Sequence, residues 1–344
     1  MIMPNLFCKR ATLSMHARLG LAIAFLGLSQ ACSSASETKE VRLVLFGGIM
    51  ATGIYVAEET GLFAEENLSV SVKNAPNSIY LMTELVKGNY DIAQASIDNF
   101  FAYQSGQGAA PLDRDPDIRV VMGGSTMKLD LVVSHDVNAY SDINGEILGV
   151  DALTTGWAFV LKEMLERGGV DDYEFVETGN TAKRVTALKN GEYRATLLVG
   201  NYINQAYAAG FKHLDDSLAR LGPYQGSSFG VSAAWAADNS ETVVSFIRAY
   251  SNAMDIVYDT DRREEVVAIV SKHTSMDPAI ARKTLSQMLS GDYGFTPRAA
   301  LDPEGVRTVI SLREKYGAPK ADLSNLDDFI DLTYYETALE SLEQ

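Results

Sequence analysis

The 344-residue chain contains only two cysteines, Cys8 and Cys32, and both lie in its first tenth. The remainder has no thiol, which excludes a disulfide, a cysteine-ligated zinc site and a cysteine nucleophile there. Basic residues are also few, since 29 Lys and Arg stand against 45 Asp and Glu and leave a net charge of −16. An acidic chain without a basic tract repels a phosphate backbone, so the composition argues against nucleic acid as a partner.

Cofactor motifs are missing as well. The segment 106–108 reads Gly-Gln-Gly but lacks the rest of a dinucleotide fingerprint, and no Gly-x-x-x-x-Gly-Lys loop occurs. Beyond the first forty residues the histidines, His135, His213 and His273, stand far apart in the sequence. The sequence therefore predicts no cofactor and no metal site.

One segment, Gly226-Ser-Ser-Phe-Gly230, satisfies the Gly-x-Ser-x-Gly pattern of serine hydrolases. A nucleophile elbow needs a strand before the serine and a helix after it, whereas here a strand-like run follows Ser228. An exported hydrolase using Ser228 is thus the weakest of the alternatives, and the sequence favours a protein without catalytic residues.

Long apolar runs are also lacking, apart from residues 19–28 near the N-terminus. About ten apolar residues cannot span a ~30 Å hydrocarbon core, but after Lys9, Arg10 and Arg18 they are typical of an export signal. We predict a signal peptide at 1–31 and a flexible tether at 32–40. The cut before Cys32 fits an ordinary signal peptidase site and also resembles a lipobox, which would lipidate Cys32 and anchor the protein to a membrane.

What the chain does contain is ample apolar material, 47% of its residues, arranged as short apolar runs that alternate with amphipathic stretches. This rhythm predicts an α/β fold with mainly parallel sheets. A short phrase recurs, because Leu85, Gly88 and Tyr90 have the same spacing as Leu188, Gly191 and Tyr193. Two similar α/β units are indicated, although a generic helix-glycine-strand turn would give the same match. Helices are predicted after residue 240, at 242–258, after the pairs Asp277-Pro278 and Asp302-Pro303, and at 325–342.

Four segments resemble the periplasmic solute-binding proteins of ABC importers, the family that takes aliphatic sulfonates, taurine, nitrate and thiamine-pyrimidine precursors. They lie at 55–70, 85–93, 140–151 and 187–211, and begin with Tyr-Val-Ala-Glu-Glu-Thr-Gly-Leu-Phe, Leu-Val-Lys-Gly-Asn-Tyr-Asp-Ile-Ala, Tyr-Ser-Asp-Ile-Asn-Gly and Ala-Leu-Lys-Asn-Gly-Glu-Tyr. The resemblance spans about 41–215.

The resemblance implies a type II-like periplasmic binding fold with two lobes joined by two crossing strands. We expect crossing strands at 129–135 and 229–235, lobe one at 41–130 plus 235–344, and lobe two at 131–234. The ligand would lie between the lobes, beyond the carboxyl ends of the strands, where helix N-termini favour anions.

Candidate ligand-binding residues follow from this placement, because they lie in the loops after the predicted strands. They are Phe46, Gly47, Gly48, Asn77, Ser78, Ser96, Asp98, Asn99, Asp151, Thr154, Thr155, Gly156, Trp157, Asn201 and Tyr202. Several have alternative roles: a turn without ligand contact for the glycine pair, a helix cap for Thr155, and either helix caps or contacts to a ligand amine for Asp98 and Asp151. Trp157 is expected to face the cleft, and Arg184 to be solvated.

The predicted function is that of a substrate-binding component of an ABC importer, which closes its lobes on a small organic solute. The ligand would be a sulfonate, a pyrimidine-like or other heteroaromatic compound, or a small monoanion. The expected partners are that ligand and a permease in the inner membrane, and the expected state is a periplasmic monomer. The alternative is a sensor of the same fold without a role in transport.

Overall fold

A computed structural model describes residues 37–343, and the predicted signal peptide and Cys32 lie outside this range. Two five-stranded sheets organise this part of the chain, with a short two-stranded sheet beside them. The strands are β1 Lys39–Leu45, β2 Leu68–Asn74, β3 Ile92–Ser96, β4 Ile118–Met122, β5 Ser125–Thr126, β6 Asp130–Val133, β7 Glu146–Val150, β8 Tyr173–Glu177, β9 Ala195–Leu198, β10 Lys212–Asp216, β11 Ser227–Ser232 and β12 Gly294–Phe295.

Helices cover the sheets and make up most of the chain after residue 233. They are α1 Thr52–Glu59, α2 Leu62–Glu65, α3 Ser78–Lys87, α4 Ile97–Gln104, α5 Gly156–Arg167, α6 Thr181–Lys189, α7 Asn201–Ala208, α8 Ser217–Leu221, α9 Ala233–Asp238, α10 Ser240–Tyr258, α11 Arg263–Thr274, α12 Pro278–Met288, α13 Pro303–Tyr316 and α14 Thr333–Leu342. Among the described residues, no helix combines the length and apolar character needed to cross a bilayer.

The two large sheets have the same strand arrangement. The first has the order β2-β1-β3-β11-β4 and the second, read from its other edge, the order β8-β7-β9-β6-β10. In each sheet the first three strands run parallel and the last two are antiparallel to their neighbours. The predicted α/β class with two similar units is confirmed, and the sheets are mixed rather than mainly parallel.

The repeated glycine phrase marks corresponding positions of the two units. Gly88 follows α3 with φ of 79°, and Gly191 follows α6 with φ of 75°. A left-handed residue at the end of a helix is most easily supplied by glycine, which has no Cβ to clash. The chain then enters the third parallel strand of each sheet, β3 or β9.

The boundary predicted for lobe two needs one correction. Strand β11 pairs with β3 and β4, so it belongs to the first sheet, although residues up to 234 were assigned to the second lobe. The strand also ends at Ser232 rather than at 235, because the Ser232 side chain accepts a hydrogen bond from the Trp235 amide and starts α9. The other predicted crossing strand contains β6, which pairs in the second sheet.

The last predicted helix, 325–342, is wrong in its first half. Only α14, from Thr333, is an α-helix, because the preceding segment is bound to the edge of the first sheet. The amide of Val120 donates to the Phe329 carbonyl at 2.8 Å, and the Asp331 amide donates to the Val120 carbonyl at 2.9 Å. Phe329 is buried against Phe101, with their ring centroids 5.0 Å apart.

The hydrophobic core joins the two sheets. One cluster of buried residues includes Val44 and Ala93 of the first sheet and Leu131 and Leu148 of the second. Phe159 of α5 belongs to the same cluster. Helix α13 packs on both α4 and α5, so it joins the helix that follows β3 to the helix that follows β7.

Candidate ligand-binding cleft

The carboxyl ends of β1, β2 and β3 face those of β7, β8 and β9 across a cleft of about 1560 Å³. Ligand pockets for small molecules usually enclose about 300–1,000 Å³, so this cleft is wide. The structure places all fifteen candidate residues in its wall: Phe46, Gly47, Gly48, Asn77, Ser78, Ser96, Asp98, Asn99, Asp151, Thr154, Thr155, Gly156, Trp157, Asn201 and Tyr202.

Both the backbone conformation and close packing require the glycine pair after β1. Gly48 has φ of 92°, in the left-handed region, and its amide donates to the Tyr55 hydroxyl at 3.2 Å. A Cβ on Gly47 would lie 2.7 Å from Oδ1 of Asn74. The pair therefore forms a turn that lets the loop after β1 approach the end of β2.

Helix N-termini point into the cleft from both sides. The Asn77 side chain caps α3 by accepting from the Tyr80 amide at 2.9 Å, and the Asn180 side chain caps α6 by accepting from the Lys183 amide at 3.1 Å. Helix α7, which starts with Asn201 and Tyr202, follows Gly200 and has no side-chain cap. The partial positive charge of such helix ends favours negatively polarised groups of a ligand.

The Asp98 carboxylate is bound within the protein and has a structural role. Its side chain is 2% exposed, accepts from the Gly156 amide at 2.6 Å, and pairs with Nε of Arg313 at 2.8 Å. Nη2 of Arg313 donates to the Thr154 carbonyl at 2.6 Å. Burial raises the pKa of Asp98, while the guanidinium of Arg313 and the Gly156 amide act in the opposite direction. Asp98 thus links α4 to the N-terminus of α5, where the sequence predicts a ligand contact.

Asp151 and Thr155 form a second local contact at the start of α5. The Thr155 hydroxyl donates to Asp151 Oδ1 at 2.6 Å, and the Ala158 amide donates to the Thr155 hydroxyl at 3.4 Å. Thr155 is therefore a helix cap. Asp151 lines the cleft, and its second carboxylate oxygen accepts no hydrogen bond from the described residues.

Two residues of the cleft wall, Gln94 and Arg184, are absent from the candidate ligand contacts. The sequence assigns no role to Gln94 and predicts a solvated Arg184. Arg184 is 2% exposed instead of solvated, and its guanidinium carbon lies 5.2 Å from the centroid of the Trp157 ring. Gln94 is 3% exposed, donates from Nε2 to the Met50 carbonyl, and leaves Oε1 without a partner among the described residues. This oxygen is itself buried and is an unsatisfied acceptor at the cleft wall.

A polar cluster at the other end of the cleft joins residues that the sequence shows far apart. Nζ of Lys128 lies 3.2 Å from Asp130 Oδ1, and Nε2 of His213 lies 3.3 Å from the same oxygen and 3.8 Å from Asp216 Oδ2. Burial raises the pKa of Asp130, and Lys128 opposes this shift. His213 does not stand isolated, as the sequence suggested, but the lysine ammonium already supplies a cation to these carboxylates.

A two-lobed α/β protein with a cleft at opposed strand ends has the architecture of the periplasmic solute-binding proteins. The family model described as NMT1/THI5 like matches residues 49–264. The chain therefore belongs to the NMT1/THI5-like family.

Comparisons with individual proteins agree with this assignment. The formylaminopyrimidine-binding protein of Halalkalibacterium halodurans is 29% identical over 213 residues, which are 59% of this chain and 60% of that protein. The chain thus matches less than two thirds of this curated relative. The periplasmic nitrate-binding protein of Synechocystis has the same fold with a TM-score of 0.74, at 13% identity over 90% of each chain. The ligand-binding component of an ABC-type import system from Staphylococcus aureus has a TM-score of 0.69, at 14% identity over 87% of this chain and 99% of that one.

Proposed function

We propose that the protein is the substrate-binding component of an ABC importer and captures a small organic solute in the cleft. The observation that carries the proposal is that loops from both sheets, predicted as ligand contacts from the sequence, line one cleft. Family membership and the name of the curated relative support a binding role.

The ligand class that the site favours is a flat, neutral or weakly acidic heteroaromatic compound, such as an aminopyrimidine. Trp157 and Tyr202 offer aromatic surface, and Gln94, Asp151 and Asn77 offer polar atoms that can orient a ring. Lys128 and Arg313 are already paired with carboxylates, and Arg184 donates to protein oxygens. A multiply charged phosphate is disfavoured because Lys183 then remains as the one exposed, unpaired lysine or arginine of the described cleft lining. The relative's formylaminopyrimidine is one compound of the favoured class.

The proposed mechanism is closure of the two lobes on the ligand. A ligand shifts an equilibrium between open and closed forms only by its differential affinity for them, so contacts from both lobes are required. We further propose that an ABC permease receives the closed form, that the protein works as a monomer in the periplasm, and that lipidation of Cys32 would tether it to a membrane.

We assign no catalytic residue. Ser228, the hydrolase alternative, lies within β11 and is fully buried, which would keep its hydroxyl away from an external substrate. A sensor role would use the same cleft, and neighbouring genes for a permease and an ATPase, rather than for a sensor kinase, would favour transport.

The test is a thermal-shift screen of the compact unit Glu37–Gln344 with aminopyrimidines, alkanesulfonates, nitrate, amino acids and aromatic acids. A ligand at a hundredfold its dissociation constant adds about 2.7 kcal/mol to the free energy of unfolding, or roughly 5 °C in Tm. We expect the shift with aminopyrimidines and its loss in Trp157→Ala. The matched control Trp235→Phe, in α9 outside the cleft wall, should keep it. A shift that survives Trp157→Ala unchanged would contradict binding in this cleft.

A further inference from the structure

Arg184 occupies an unusual position behind the aromatic wall of the cleft. It lies in the first turns of α6 but is 2% exposed, and its guanidinium carbon is 5.2 Å from the Trp157 ring centroid. The guanidinium donates to the Gly179 carbonyl at 2.9 Å, the Thr181 hydroxyl at 3.2 Å and the Leu197 carbonyl at 3.3 Å. A cation at this distance from an indole is a cation–π pair.

No carboxylate of residues 37–343 forms an ion pair with this guanidinium. Asp151 is close enough to favour the charged form of Arg184 without making an ion pair with it. Arginine stays protonated in proteins, so a positive charge remains in a poorly solvated place where its hydrogen-bond acceptors are neutral oxygens. Such a charge costs free energy unless neighbouring groups compensate it, and here the Asp151 carboxylate and the Trp157 ring, which both line the cleft, do so.

The geometry decides how the charge can act on a ligand. Because the guanidinium is almost fully covered and donates to three protein oxygens, it has no open fork for a sulfonate or carboxylate to bind in bidentate fashion. Its field acts instead through the indole. A cation on one side of an aromatic ring offsets the negative potential of that ring, so the ring stacks better on an electron-rich partner and worse on a cationic one.

We propose that Arg184 is a specificity-determining residue, which makes Trp157 a stacking surface for uncharged planar ligands and disfavours cationic rings of the same shape. The inference rests on the proposed function, since it assumes that a ligand binds in the cleft. It adds a selection rule: the charge held against the Trp157 ring, rather than a direct ion pair with the ligand, separates an uncharged aminopyrimidine from a pyridinium cation.

The experiment uses tryptophan fluorescence, because Trp157 and Trp235 are the chain's two tryptophans. In a Trp235→Phe background, Trp157 alone reports the binding of 4-aminopyrimidine, of N-methylpyridinium and of ethanesulfonate. We expect 4-aminopyrimidine to bind and quench or shift the emission, and the other two probes to bind at least tenfold more weakly.

Three variants in the same background separate charge from shape. Arg184→Met keeps an apolar stem against the indole, and we expect it to strengthen the binding of N-methylpyridinium about tenfold and to change the affinity for 4-aminopyrimidine much less. Arg184→Lys retains a positive charge and should keep most of the wild-type preference. Lys189→Met removes one exposed charge from the last turn of the same helix and should leave both affinities unchanged.

The outcomes distinguish the two proposals. If 4-aminopyrimidine binds without any change in Trp157 emission, or if Arg184→Met weakens both rings equally, the selection rule is overturned and the binding function stands. If no probe binds to the Trp235→Phe protein while another compound of the thermal-shift panel does, the heteroaromatic class and the selection rule both fall. If Arg184→Met does not fold, Arg184→Lys is compared with the Trp235→Phe protein instead. Loss of the ring preference in Arg184→Lys, although the positive charge is retained, would overturn the selection rule.

Discussion

Asp98 and Arg313 show how single residues are placed by the core they enter. Asp98 lies three and four positions before the buried Phe101 and Ala102, and Arg313 lies four positions after the buried Val309, so both charges are on apolar helix faces. A charge in such a position must find a partner when the helices pack. The two side chains satisfy each other, and the Asp98 carboxylate also holds the first amide of α5.

Removing the charge of Asp98 should therefore destabilise the protein strongly. Asp98→Asn leaves Arg313 buried without a counter-ion, and we expect the free energy of unfolding to fall by about 3 kcal/mol. Urea denaturation followed by circular dichroism measures it. Glu264→Gln breaks the exposed Glu264–Arg282 pair and serves as the control, with an expected change below about 0.5 kcal/mol. Equal losses in the two variants would contradict the role assigned to Asp98.

At the scale of elements, α13 is attached to α5 by a group of charged and phenolic side chains. Glu163 Oε2 accepts from Nζ of Lys315 at 2.7 Å and from the Tyr316 hydroxyl at 2.8 Å, and Oε1 accepts from Nε of Arg167 at 2.8 Å. Burial alone would raise the pKa of Glu163, but these donors outweigh it and lower the pKa to about 2. The contact therefore favours the ionised carboxylate.

The pH dependence of this contact follows from the direction of the shift. Because the pKa of Glu163 is lower in the folded than in the unfolded protein, its stabilisation is complete above about pH 4.5 and is lost as the pH falls toward 2. We expect Glu163→Gln to lower the free energy of unfolding by about 1 kcal/mol at pH 7. The difference from wild type, followed by urea denaturation at several pH values, should shrink between pH 4.5 and 2.

The control for this titration is Glu174→Gln, which changes an exposed carboxylate of β8. Its free energy of unfolding should follow that of the wild type at every pH. A difference between wild type and Glu163→Gln that stays constant from pH 7 to pH 2 would show that the α5–α13 contact does not depend on the ionised carboxylate.

At the scale of the molecule, the wide cleft and the helices that join its two sides indicate where movement would occur. The cleft is lined by loops of both sheets, while α13 packs on α4 and α5 and the main core cluster joins the sheets. A hinge at these packed helices would bring the remaining loops together around a ligand, as hinge closure does in periplasmic binding proteins.

Closure should reduce the size of the protein in solution. Small-angle X-ray scattering with and without saturating ligand should show a smaller radius of gyration in the bound state, because the cleft of about 1560 Å³ exceeds the volume that a small solute fills. Trp157→Ala, with the same ligand concentration, should keep the larger radius. An unchanged radius in a wild-type sample that calorimetry shows to be saturated would argue against closure.

The class of the fold and most of its elements could be predicted from local patterns in the chain. Alternating apolar runs predicted most strands of both sheets but not β10, and Asp277-Pro278 and Asp302-Pro303 predicted the starts of α12 and α13. The residues after the strands marked the edge where the cleft lies. The sequence also carried the family resemblance, which the family model confirms.

Which distant groups meet could not be predicted, because spacing along the chain does not encode the packing of one helix on another. The tertiary structure assigned β11 to the first sheet, bound the segment before α14 to the sheet edge, and turned Asp98 toward Arg313. Arg184 carried a signal that could have been used, since it shares a helix face with the buried Ala187 and Leu188. Only the folded chain, however, shows that the space it enters is the back of the Trp157 ring, because burial forces a charge toward whatever partner packing provides.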